Sequence, residues 1–127
     1  MLGVVDGVLI VDDNASFRAV ARALLEKEFR VVGEAGSVAE ALARAAVARP
    51  DVVLLDIGLP DGDGVSACAD LQAVVPGAAI VFCSVRGADQ YAEAVEGSAA
   101  IGFLPKSQLS AASLAAILAG PGQLDLR

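Results

Sequence analysis

The stretch Val52-Val53-Leu54-Leu55-Asp56-Ile57-Gly58-Leu59-Pro60-Asp61-Gly62-Asp63-Gly64 (residues 52–64) reads as a buried strand that ends on a carboxylate and leaves through a glycine-rich loop. Four aliphatic residues in a row, with no polar alternation, suit a strand covered on both faces, as in parallel sheets. Three other stretches repeat the arrangement: Leu9-Ile10-Val11 runs into Asp12-Asp13, Ile80-Val81-Phe82-Cys83 into Ser84, and Ile101-Gly102-Phe103-Leu104-Pro105 into Lys106. Strands that each end in a reactive side chain imply one site along one sheet edge.

Working outward, strand-like and helical runs alternate five times. Strands are predicted over 8–12, 30–34, 51–56, 79–83 and 100–104, and helices over 15–28, 37–48, 64–74, 88–96 and 108–119. This alternation predicts an α/β fold, a parallel sheet with helices on both faces. Phe17, Val20, Ala21 and Leu24 recur at helical spacing, as do Val38, Ala41, Leu42 and Ala45, and Ala111, Leu114, Ala115 and Leu118. Each set predicts an amphipathic face. Ser37 and Glu40 have the spacing of a capping box, Pro50 should stop the second helix, Gly97 follows the fourth, and Gly120-Pro121 ends the fifth. Residues 1–6 are a lead-in, because two valines before Asp6-Gly7 make too short a strand for a hairpin. Residues 1–127 are expected to form a single domain with its core over about 8–119, and Gly120-Pro121-Gly122-Gln123 opens a linker-like tail.

Composition narrows the function. A chain of 127 residues has the length of one domain. Sixteen acidic against nine basic residues, a formal charge of −7, oppose attraction to phosphate backbones and anionic lipids, so neither nucleic acid nor membrane is an expected partner. No apolar run approaches the ~18 residues of a membrane-spanning helix, and the N-terminus lacks the pattern of a signal peptide; the expected location is cytoplasmic. Cys68 and Cys83, without CxxC spacing, are expected to be buried free thiols. With no histidine, the chain cannot be a phosphohistidine donor, a Ser-His-Asp hydrolase or a His-ligated zinc protein.

In an open parallel sheet, ligands bind beyond the carboxyl ends of the strands where the strand order reverses. Asp12, Asp13 and Asp56 gathered there would repel one another, by about 4 kcal/mol for a pair 4 Å apart at an effective dielectric of ~20. Such a cluster suits Mg2+, a small hard cation that takes carboxylates, a backbone carbonyl, waters and phosphoryl oxygens. Lys106 would supply a mobile positive charge for a phosphoryl group and Ser84 a hydroxyl donor. Phosphoryl transfer to an Asp carboxylate needs chiefly positioning and charge neutralisation, which the metal and Lys106 provide.

Plainer roles exist for each residue taken singly. Asp56 alone is a turn former, Ser84 a strand-end hydroxyl, Lys106 a surface lysine and Phe103 a core aromatic, while Asn14 is suited to cap the first helix. Asp61-Gly62-Asp63-Gly64-Val65 fails as a calcium loop, since Val65 stands where a third oxygen ligand is needed and Gln72 where a bidentate Glu belongs. Read as the Asp-x-Asp nucleophile of a haloacid-dehalogenase-like phosphatase, the same run should directly follow a strand. Leu59-Pro60 intervene.

Through Asp12-Asp13, the Asp56-x-x-x-Pro60 block with its glycines, Ser84 and Phe103-x-x-Lys106, the chain resembles the receiver domain of bacterial two-component response regulators, from about Val8 to Ala119. The resemblance implies a flavodoxin-like, doubly wound sheet of five parallel strands in the order 2-1-3-4-5. It implies that Asp56 accepts a phosphoryl group from a sensor histidine kinase or phosphotransfer protein. Asp12 and Asp13 would be the acidic metal pair, Gly58 would lend its carbonyl to Mg2+, and Ser84 and Lys106 would contact the phosphoryl group. Phe103 matches the aromatic switch position, usually Tyr, so no phenol is present to anchor an outward state. Arg86 falls at a position that varies across the family. The output is expected to be altered binding of a protein partner on the face made by the fourth predicted helix, fifth strand and fifth helix, around Tyr91, Val95 and Ala111. Phosphorylation-dependent homodimerisation is a further expectation. The chain is not expected to be a turnover enzyme beyond its own phosphorylation and dephosphorylation. Alternatives are the receiver half of a DNA-binding regulator, a metal-dependent phosphatase with an Asp nucleophile, and an unphosphorylated scaffold, against which the intact acidic pair and Lys106 argue.

Overall fold

The computed structural model describes residues 7–85 and 96–120. Five parallel strands, β1 (Gly7–Val11), β2 (Arg30–Ala35), β3 (Val52–Leu55), β4 (Ala79–Ser84) and β5 (Gly102–Pro105), stand in the order β2-β1-β3-β4-β5, as the resemblance implied. The described helices are α1 (Ala15–Leu25), α2 (Val38–Ala48), α3 (Gly64–Val74) and α4 (Ala111–Ala119), with a 3-10 turn at Lys106–Gln108. The helix predicted over 88–96, with Tyr91 and all but the end of its span, lies outside the described residues, as do Val95, Arg86, residues 1–6 and the tail from Pro121.

Side chains alternate across each strand, so the sheet divides the core in two. Leu9, Val11, Val53, Leu55, Ile80 and Phe82 face α2 and α3, through Val38, Ala41, Ala45, Ala67, Cys68 and Leu71. Val8, Ile10, Val52, Leu54, Val81, Cys83 and Leu104 face α1 and α4, through Ala21, Leu25, Ala111 and Leu114. The abundant alanines let the helices lie close to the strands. At Gly102 the approach is closest, since an added Cβ would come within 2.9 Å of Ile117 Cγ2. Both cysteines are buried free thiols, as expected.

Several boundaries differ from the prediction. The first helix stops at Leu25, three residues early: the Glu28 N–H turns back onto the Leu25 carbonyl in a tighter i→i−3 bond, and the Phe29 ring packs into the core. The apolar face of α1 uses buried Leu25, while Val20 is 53% exposed. The fifth predicted helix starts at Ala111 rather than 108, because Ser110 and Ser113 form a capping box ahead of it. The Ser37–Glu40 box closes on one side only. Ser37 Oγ accepts the Glu40 N–H, but the Glu40 carboxylate accepts from Gly36 N, one residue before the cap. α2 ends at Ala48 with Arg49 in the left-handed region (φ 49°), since the ring of Pro50 disfavours a helical residue ahead of it. Ala111 is not part of an exposed partner surface: it packs into the core at the first turn of α4.

Candidate functional site

Strand order reverses between β1 and β3, whose neighbours β2 and β4 lie on opposite sides, the position at which open parallel sheets bind ligands. Val11 is in register with Leu55, and the ladder continues one step further: Asp56 N–H donates to the Val11 carbonyl at 3.0 Å and Asp12 N–H to the Ala35 carbonyl at 2.9 Å. These bonds set Asp12 and Asp56 side by side at the sheet edge. Ser84 ends β4 opposite Pro105 of β5, and Lys106 follows at the start of the 3-10 turn.

Asp12 is 1% exposed and Asp56 8%, whereas Asp13 faces solvent. Asp12 Oδ1 accepts the Asn14 N–H at 2.9 Å, and Asp56 Oδ1 accepts the Gly58 N–H at 3.2 Å. Lys106 Nζ stands 2.6 Å from Asp12 Oδ2 and 3.9 Å from Asp56 Oδ2. Asp12 Oδ2 is fully buried, and its close contact is the Lys106 ammonium. Burial pushes the Asp56 carboxyl above the usual carboxylate range; the neighbouring Asp12 charge adds to this, and the Gly58 N–H and Lys106 oppose it without cancelling it.

One oxygen from each of Asp12, Asp13 and Asp56 lies within 4.8 Å of the others. Hard oxygen donors and the mutual repulsion of three gathered carboxylates fit a small divalent cation such as Mg2+. The arrangement therefore brings together Asp12, Asp13, Asp56 and Lys106, with Ser84 on the neighbouring strand. Phe103 is in register with Phe82 and half-buried against the α2–α3 side of the core. Since Ser84 is two residues beyond Phe82, Phe103 and Ser84 share a face of the sheet.

The loop after Asp56 has a structural task. Asp61 accepts the Val38 and Ala39 N–H groups at 2.8 and 3.1 Å, capping α2, and Asp63 accepts the Ser66 N–H to cap α3. Both carboxylates are held below their ordinary range by those backbone donors. This accounts for the Asp-Gly-Asp run without calcium or a second nucleophile. Asn14 caps α1 through the Phe17 N–H, as expected.

Two contributors escape a reading of strand ends. Arg18 donates to the Asp12 carbonyl at 2.6 Å and pairs with Glu34, which Arg22 also binds at 2.7 Å. The Arg22 guanidinium, with Arg18 beside it, holds the Glu34 carboxyl below its usual range. A glutamate within a strand and two arginines four apart on the preceding helix are the sequence signal for this bridge. Phe17 places its ring 4.3 Å from Lys106 Nζ, a contact for which the sequence offers no signal.

Residues 8–118 match the response regulator receiver domain family. The chain is 52% identical over 71 residues to the DNA-binding transcriptional activator DevR/DosR of Mycobacterium tuberculosis, covering 54% of this chain and 33% of that protein. To the chemotaxis protein CheY of Halobacterium salinarum it is 32% identical over 99 residues, covering 78% of this chain and 82% of that one. The signal receiver domain of the putative response regulator NarL from Mycobacterium tuberculosis superposes with a TM-score of 0.79 at 26% identity, covering 91% and 98% of the two chains. The chain thus spans about a third of the length of the transcriptional activator and most of the length of the chemotaxis protein.

Proposed function

Because this chain belongs to the response regulator receiver domain family, whose business is phosphorylation-dependent signalling, we propose that it accepts a phosphoryl group on Asp56 from a sensor histidine kinase or phosphotransfer protein. One observation carries the assignment: Asp56 is a buried carboxylate beside both Asp12 and Lys106, at the point where the strand order reverses. A carboxylate oxygen of Asp56 attacks phosphorus as the P–N bond of the donor phosphohistidine breaks, and the departing imidazole keeps the bond's electron pair. Lys106 neutralises charge on the transferred group, and Ser84 donates its hydroxyl to a phosphoryl oxygen. Asp12, Asp13 and Asp56, with the Gly58 carbonyl, would hold Mg2+, which would offset the negative charge of the carboxylates and of the incoming phosphoryl group. Gathering of Ser84 toward the phosphoryl group frees space on the sheet face it shares with Phe103, and movement of that ring passes the signal to a protein partner. The chain acts on itself alone, and residues 1–127 work as one receiver unit on the cytoplasmic side, where a kinase can reach it.

Acetyl phosphate with Mg2+ is expected to add one phosphoryl group to the intact protein and none to Asp56→Asn. Intact-mass spectrometry showing equal labelling of both proteins refutes Asp56 as the acceptor. A second reading, favoured by the 52% identity to DevR/DosR, has the receiver control a DNA-binding unit of the same polypeptide. The reading frame beyond codon 127 in the gene decides between that output and a separate partner.

A further inference from the structure

We propose that Phe17 is a positioning residue whose ring face holds the Lys106 ammonium beside the Asp12–Asp56 carboxylates, an inference that rests on the reading of Asp56 as phosphoacceptor. Lys106 Nζ lies 4.3 Å from the centroid of the Phe17 ring, inside the ~6 Å reach of a cation–π contact. Lysine carries its charge on a flexible stem and acts as a point charge. Its placement therefore depends on what tethers it. Asp12 at 2.6 Å and Asp56 at 3.9 Å draw the ammonium inward, but both are also the groups that a metal and a phosphoryl group engage. The ring carries no formal charge, so its hold on Lys106 does not change when either carboxylate is engaged elsewhere.

Phe17 is itself well placed to act as a perch. Its N–H is fixed by the Asn14 cap at 3.0 Å, and its half-buried side chain packs against the α1–α4 side of the core. Phe17 and Lys106 line one open groove with Val20, Val85 and Ser107, so the ammonium keeps access to solvent and to an incoming donor. An apolar filler at position 17 needs no particular electron distribution. A perch for an ammonium needs a negative ring face, and that difference is measurable.

The test replaces Phe17 with phenylalanines bearing one to five fluorines, which keep the ring's shape while draining its face of negative potential. The rate of acetyl phosphate labelling at saturating Mg2+ is expected to fall stepwise, by about threefold at full fluorination. Phe17→Tyr should label at close to the wild-type rate and Phe17→Leu at the rate of the fully fluorinated protein. In Mg2+-free protein, the ring current of Phe17 should displace the Lys106 Hε resonances upfield, and Phe17→Leu should return them to ordinary positions. If Phe17→Leu does not fold, the fluorinated series and the wild-type spectrum still decide. A flat series in a protein that labels at Asp56, or undisplaced Lys106 resonances in the wild type, overturns the proposal. A wild type that does not label at Asp56 overturns the functional reading instead.

Discussion

Ionised Asp56 carries a burial cost in the folded protein that Lys106 only partly offsets. Its carboxyl is pushed above the usual range by burial, with the Asp12 charge adding to the effect. The folded protein thus holds this proton more tightly than the unfolded chain does. Such a group favours the fold below the ordinary carboxylate pKa, and that contribution is lost as pH rises through the folded-state value. Asparagine never ionises and escapes the loss. Asp56→Asn should therefore be more stable than wild type at pH 7 without Mg2+, with the advantage shrinking toward acid. Thermal melts across pH check this, and a mutant that melts lower at pH 7 would show that the Gly58 N–H and Lys106 outweigh burial. Cys83 reflects the same apolar surroundings beneath the sheet edge, its thiol pushed up to about 12 chiefly by desolvation.

Among the elements, the loop from Asp56 to α3 serves as a strut as well as a connection. Asp61 reaches across to accept two amides at the start of α2, and Asp63 caps the helix that follows. Backbone donors hold the Asp61 carboxyl below its ordinary range. A depressed pKa contributes stability that is present above the unfolded value and lost as pH falls through the folded one. Asp61→Ala should accordingly lower the melting temperature at pH 7, speed amide exchange at Val38 and Ala39, and leave the two proteins alike in acid. Unchanged exchange at those amides would mean that Ser37 alone secures the start of α2. On the other side of the sheet, Arg18 and Arg22 bind Glu34 and so tie α1 to β2.

At the scale of the molecule, crowded carboxylates and a charge of −7 predict a response to cations. Mg2+ at 100 times its Kd should stabilise it by about 2.7 kcal/mol through linkage, and Asp13→Asn should blunt that response. Calorimetry with and without the ion tests both; a full response in the mutant would remove Asp13 from the metal site. The same charge predicts that this 127-residue chain does not retard duplex DNA at physiological salt, phosphorylated or not. Sequence-specific binding at nanomolar concentration would contradict it. Among the described residues no helix is long and apolar enough to cross a membrane.

Periodicity and punctuation were enough to read the α/β alternation. The strand-end residues Asp12, Asp56, Ser84 and Lys106 were legible because a strand places its last residue on a predictable edge. Asn14 as a cap followed from local chemistry, and the span predicted for the third helix matches α3 over Gly64–Val74. Tertiary structure decided what depends on residues far apart in sequence. α1 ended early in a turn that leaves Phe29 packed in the core, and Asp61 became a cap for a helix 23 residues before it. Val20 fell outside the core and Phe17 came to lie over Lys106, since only the packing of α1 against the sheet fixes how that helix is rotated. Spacing along a chain determines which side chains share a face or an edge, but the distance between two faces is set by everything packed between them.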